Sequence, residues 1–249
     1  MNIALTSAVL PVLLLLWFIY RKDKQNPEPV GRLLLTFFVG CLSVVPAIVM
    51  EMVMGAFNPG TPVLGGLYNG FAVAGFSEEL CKLLLLLLVI WRSPHFDEYF
   101  DGIVYAVFLS LGFACVENVM YVTSGDDMMQ VALMRGLLAV PAHFLFAVTM
   151  GYYVSLAKFD PAGRRRHLAC ALLFPMLLHG TYDALLMVSD GLGDSGLGML
   201  VSGVLMIVFI VFDVTMWRWG LRRIKRMQER SQEQDCDRQN PFEGFTWKV

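Results

Sequence analysis

The chain has 249 residues and a mass of 27.9 kDa; 57% of them are hydrophobic, only 16% are charged, and the mean hydropathy is +0.60. That composition excludes an ordinary soluble domain and intrinsic disorder, and a net charge of −2 offers no basic field for a nucleic-acid partner. A membrane-spanning helix takes about 20 apolar residues, so the length accommodates roughly seven spans and a tail.

Apolar runs fall in chain order at about 3–20, 32–54, 66–91, 102–122, 131–158, 168–189 and 197–219. The first run lacks a basic leader and a small-residue cleavage site and is followed by Arg21, Lys22 and Lys24, which reads as a retained helix. Basic residues alternate between the breaks. Arg21, Lys22, Lys24 and Arg32 flank the first, Arg92 the third, Lys158 and Arg164 to Arg166 the fifth, and Arg222 to Arg230 the tail; the other breaks carry none. Because basic residues collect on the cytoplasmic side, the expectation is an all-α, polytopic membrane helix bundle of about seven transmembrane helices, N-terminus outside and C-terminus cytoplasmic. Residues 1–219 form the membrane domain and 220–249 a cytoplasmic polar tail, whose arginines set orientation and touch head groups of the lipid bilayer. Cys41, Cys81, Cys115, Cys170 and Cys236 include no C-x-x-C pair and read as small core residues, not disulfides or a metal knuckle.

Ionisable residues inside the spans are the functional signal, since each costs roughly 2.5–3.5 kcal/mol on insertion scales. The third run places Glu78, Glu79 and Lys82 within one turn. Lys82 can reach either carboxylate but neutralise only one, leaving a group tunable as a general base. The fourth run carries Glu117 and Asn118, the fifth Arg135 and Pro141 with His143, and the sixth Pro175, His179 and Asp183. His179 and Asp183 stand at i, i+4, where a carboxylate can orient an imidazole. At 1.5 Å per residue from the outer ends of the runs, Glu78 and His143 lie roughly 18 Å deep, His179 roughly 15 Å, Asp183 roughly 9 Å and Glu117 roughly 7 Å. One layer on the outer side of the midplane is expected to hold them all. Glu51 and Asp213, near helix ends, read as structural, and His95 and His167 as loop residues without a role.

Glu78-Glu79-x-x-Lys82, then Phe113-x-x-x-Glu117-Asn118, then His143, then His179 with Asp183, resembles the PrsW family of intramembrane proteases over residues 66 to 189. The resemblance extends to the larger group of CAAX prenyl endopeptidases and abortive-infection proteins, although Lys82 and Glu117 stand where CAAX enzymes usually have Arg and His. It implies peptide-bond cleavage in a membrane-anchored protein substrate, of the anti-sigma-factor kind, cut at its outer side by an enzyme of the bacterial inner membrane. The catalytic candidates are Glu78, Glu79, His143 and His179, with Lys82, Asn118 and Asp183 in support.

Two readings of the histidines stand. His143, His179 and Glu117 can form a three-ligand open zinc site, Zn2+ then being the cofactor, or the histidines act alone as oxyanion stabiliser and acid. A proton-coupled transporter or channel is the other functional class, weakened by the absence of an inverted repeat. A seven-helix receptor has only its helix count and the outside N-terminus in favour. Tyr182-Asp183 with Gly191-Leu-Gly-Asp194 imitates the Gly-x-Gly-Asp aspartyl proteases, but Asp194 falls in a loop and that reading leaves Glu78, Glu79, Glu117 and His143 unexplained.

Overall fold

The computed structural model describes residues 2–24, 26–124, 127–193 and 195–239, all helix and short connections, with no strand among them. Among the described residues nine α-helices occur: α1 (Asn2–Lys22), α2 (Val30–Gly55), α3 (Pro62–Tyr68), α4 (Ser77–Ile90), α5 (Asp101–Ser124), α6 (Met128–Met134), α7 (Val140–Phe159), α8 (Arg164–Gly191) and α9 (Gly196–Gln239). Two π-helical segments interrupt them. Asn69–Phe76 joins α3 to α4, and Arg135–Ala139 joins α6 to α7.

Six helical runs are long and apolar enough to cross a membrane: α1, α2, α5, α6 through α7, α8 and α9. The expected third span exists as one helical run over 62–90, but Glu78, Glu79 and Lys82 set it apart from the apolar six. The expected run ends agree with the observed helices within a few residues, except at the last. There the composition shift near 220 is not a break, because α9 continues to Gln239 and buries Ile224, Met227 and Ser231. Residues 240–249 of the expected tail lie outside the described residues.

The candidate span with the largest buried share, α5, packs against α1, α2 and α7, and α8 covers α7 on the far side. Membrane helices approach closely where small residues remove side-chain bulk. Gly70 and Gly75 of the first π-helical segment lie on the backbone of α8; a Cβ at Gly70 would come within 2.7 Å of the Ala184 nitrogen, and one at Gly75 within 3.0 Å of the Gly180 nitrogen. That approach carries the next turn, with Glu78 and Glu79, onto His179.

The connections carrying Arg and Lys gather at one end of the bundle. There the linker before α2 and the loop 91–100 form an acidic junction. Asn26 Nδ2 donates to Glu98 Oε1 at 2.6 Å, the Tyr105 hydroxyl donates to Glu28, and the Phe100 N–H donates to the Ser231 hydroxyl at 2.9 Å. Burial pushes the Asp23 carboxyl from 3.8 up to about 7 and that of Glu28 from 4.5 up to about 7. Both acids therefore bind a proton more tightly folded than unfolded. Their contribution to stability is complete below about pH 4 and disappears as pH rises through about 7. The thermal midpoint in detergent is expected to fall between pH 5 and 8. Asp23→Asn keeps an oxygen for the Glu28 N–H, now 3.0 Å from Asp23 Oδ2, and should flatten that fall; an unchanged pH profile would show that Asp23 does not carry it.

Candidate active site

The first turn of α4 presents Glu78 and Glu79, and Lys82 follows one turn later. The Lys82 side chain is fully buried, and its Nζ lies 2.9 Å from Glu78 Oε2, 2.9 Å from Glu79 Oε1 and 3.2 Å from His143 Nδ1. An ammonium has three donors, so all three are used. The expectation of one carboxylate paired and one spare is thus replaced by a lysine that bridges both. Its remaining side faces the Phe113 ring, 4.0 Å from the centroid. Phe113 of the Phe-x-x-x-Glu-Asn motif is the lid under the lysine.

The π-helical segment Arg135–Ala139 runs into Pro141 and His143. Wide π turns commonly accompany functional sites, and here one immediately precedes each of α4 and α7. Lys82 can only donate, so His143 Nδ1 accepts, which leaves the proton on Nε2, 2.9 Å from Glu117 Oε2. His179 Nδ1 lies 3.0 Å from Glu79 Oε1 and its Nε2 lies 3.2 Å from Asp183 Oδ2. The i, i+4 reading of His179 and Asp183 matches this contact. Phe146 stacks on His179 at 4.7 Å, fixing the ring plane.

A cavity of about 590 Å³ lies over this cluster, lined by Glu78, Glu117, Arg135, His143, His179 and Asp183 among others. Its upper wall comes from Glu51, Ser124 and Met187, near the ends of α2, α5 and α8, so it opens toward the end of the bundle opposite the basic connections. Glu51, expected to be structural, lines the wall. Glu79 is absent from the lining and its side chain is fully buried, whereas Glu78 reaches the cavity.

Depth counting separated Glu117 from His143 by about two helical turns, yet they touch. Two long side chains reaching toward one another span several ångströms, and π turns advance less per residue than the α rise assumed. Asn118 does not face the cavity. It donates to the Ala8 carbonyl of α1 at 2.8 Å and accepts from Arg135 Nε at 3.0 Å. His167 is no loop residue, but sits in the first turn of α8, 3.0 Å from Asp160.

Arg135 is the residue whose role the sequence left unread. Its Nη2 lies 2.9 Å from Glu117 Oε2, the oxygen that also meets His143, and its guanidinium stacks over Tyr121 at 3.9 Å. The signal was available: an arginine inside an apolar run needs a buried carboxylate, and Glu117 had no cation assigned to it. Arg135→Gln is expected to reduce cleavage roughly 10- to 100-fold by loosening the Glu117–His143 pair, with Arg135→Lys restoring little because it loses the planar fork. Wild-type activity in Arg135→Gln would contradict that positioning role.

The donor set fits a metal. Ligand atoms of Glu78, Glu79, His143 and His179 lie within 4.8 Å of one another, all buried, and Glu79 Oε2 is a buried carboxylate oxygen with no hydrogen-bond partner. Two carboxylates against one ammonium also leave a formal negative charge in a buried site, which favours a cation. Glu117, expected from the sequence as a third ligand beside His143 and His179, is not in that group; its carboxylate lies 2.9 Å from both Arg135 and His143.

Residues 28–214 match the model of the PrsW family intramembrane metalloproteases. The chain belongs to the PrsW family. Two similar proteins, each named Protease PrsW, come from Clostridioides difficile (strain 630) and Bacillus subtilis (strain 168). Both are 34% identical to it, over 230 and 223 residues, covering 91% and 89% of this chain and 92% and 94% of theirs. No solved structure matches it. As a PrsW family member with apolar spans, the chain is a multi-pass bacterial membrane protein and an intramembrane protease, which decides against the transporter and receptor readings. The aspartyl-protease reading requires Asp194, which lies outside the described residues, while Asp183 is engaged with His179.

Proposed function

We propose that Glu78 is the general base of a peptide-bond hydrolysis carried out in the cavity over α4. The observation that carries this is the division of labour between the paired glutamates: Glu78 reaches the cavity, and Glu79 is sealed beneath it on His179 and Lys82. A water beside Glu78 gives it a proton as its oxygen adds to the scissile carbonyl carbon, and protonated Glu78 returns that proton to the leaving nitrogen. Lys82 lowers the cost of holding both carboxylates ionised in the apolar interior, and Glu79 and Asp183 fix the His179 ring. Arg135 and Glu117 do the same for His143. Asn118 positions Arg135.

We further propose that His143 and His179, with Glu78 or Glu79, hold a zinc ion. When bound, such an ion polarises the carbonyl and acidifies water. Metal analysis of purified active protein tests this: close to one zinc per chain in wild type, lost in His179→Ala, is the expected result. Active protein without zinc would leave the Lys82 ammonium, on which Glu78, Glu79 and His143 already converge, as the cation of the cluster.

The run 62–90 is taken as the seventh span, the N-terminus as outside and residues 220–249 as a cytoplasmic segment, on the strength of the basic residues at one end of the bundle. The cavity then opens outward. The substrate is a membrane-anchored protein, of the anti-sigma-factor kind, cut in the outer half of its span or just beyond. There an unwound segment meets water, whereas each amide freed in hydrocarbon costs several kcal/mol. The paired glutamates also link the family to the CAAX endopeptidases, with Lys82 and Glu117 arguing against a prenylated substrate.

A further inference from the structure

At the basic end of the bundle, α7 and α9 enclose a groove of about 290 Å³ lined by Tyr152, Tyr153, Trp219, Arg222, Arg223 and Arg226. Positions 219, 222, 223 and 226 follow the i, i+3, i+4, i+7 rule and share one face of α9. Gly220 lets the helices close there, since a Cβ would meet Leu145 Cδ2 at 2.5 Å. Arg223 is held in place: it donates to the buried Thr149 hydroxyl and lies 5.5 and 5.7 Å from the ring centroids of Tyr152 and Tyr153. Tyr153 is itself stacked on Phe174 of α8 at 5.1 Å.

Charge is what this groove lacks a partner for. Among the described residues, none of the three arginines pairs with a carboxylate, while neighbouring Lys225 meets Glu229 at 3.6 Å and Arg238 meets Asp97 at 3.5 Å. Other basic side chains at this end are also engaged, Lys158 on the Trp91 carbonyl at 2.8 Å and Arg164 on the Ala157 carbonyl at 3.2 Å. Three guanidinium forks around a concavity match the oxygens of a phosphodiester. Deeper along the same face of α9, Val208 and Val211 are exposed, with Trp219 at the boundary. A free anion would use only the arginines, whereas a ligand with a phosphate head and hydrocarbon chains uses both halves.

We propose that this groove is a binding site for an anionic phospholipid, its phosphodiester between Arg222 and Arg226 over the floor formed by Arg223, and its acyl chains along α9. The site lies apart from the protease cluster and does not rest on it.

The test uses the full-length chain in detergent, titrated separately with phosphatidylglycerol, phosphatidylcholine and inorganic phosphate, with bound lipid read by native mass spectrometry. Phosphatidylglycerol should be retained roughly tenfold over phosphatidylcholine, and Arg222→Gln with Arg226→Gln should abolish that preference. Both positions are exposed, so the double variant should keep the lipid-free melting temperature; a lowered one would be met by repeating the titration with each single variant. Equal retention of the two lipids, a preference that survives the substitutions, or displacement by millimolar phosphate would overturn the proposal.

Discussion

Replacing Glu78 by Gln is expected to lower cleavage roughly a thousandfold while the protein inserts and accumulates normally. The substitution keeps size and shape and removes one of two buried carboxylates that share a single ammonium. It therefore relieves a formal negative charge in a buried site, and comparison at matched protein levels separates loss of activity from loss of folding. Glu79→Gln is expected to abolish cleavage too, by a different route, since the amide cannot serve both Lys82 and His179 as the carboxylate does. The measurement is turnover of a membrane-anchored reporter at matched protein levels. Full activity in both variants would remove the glutamates from the mechanism.

Lys82→Met should be the most destabilising single change in the cluster, at about 3–5 kcal/mol. Methionine refills much of the space of the lysine stem and removes the charge, leaving Glu78 and Glu79 ionised side by side without a cation. Adding Glu78→Gln to Lys82→Met should recover much of the loss. Melting temperatures of the two variants in detergent check this, and a Lys82→Met protein as stable as wild type would show that another cation neutralises the pair.

Much of this site was legible because an ionisable group in hydrocarbon has to be explained, and there were few to explain. Glu78, Glu79, Lys82, Glu117, His143, His179 and Asp183 stood out in otherwise apolar runs; Glu78, Glu117, His143, His179 and Asp183 line one cavity, and Glu79 and Lys82 lie buried beside it. The spacing rules for a regular helix gave His179 with Asp183, and Lys82 with either glutamate. What they could not give was anything that depends on rotation between helices. Asn118 follows Glu117 directly, so about 100° of helix turn sends it to α1 instead of the cavity. Glu79 is sealed and Glu78 is open for the same reason. The π-helical segments were also hidden, because an i→i+5 turn has no composition signature, yet they set the rotation of both Glu78 and His143 relative to the residues before them. The continuation of α9 past 220 was masked by its polarity: a helix that leaves the apolar layer keeps its backbone bonds while its composition changes.

The central claim is that this cavity hydrolyses peptide bonds of membrane-anchored proteins using Glu78 and Glu79. The most direct measurement is a comparison of protein termini in membranes containing either the wild-type enzyme or Glu79→Gln, read by mass spectrometry. The account predicts that full-length single-span proteins accumulate with Glu79→Gln, and that the termini present only with wild type map to the outer half of a span or just beyond it. Identical termini in the two membranes, or new termini confined to the cytoplasmic side, would contradict it.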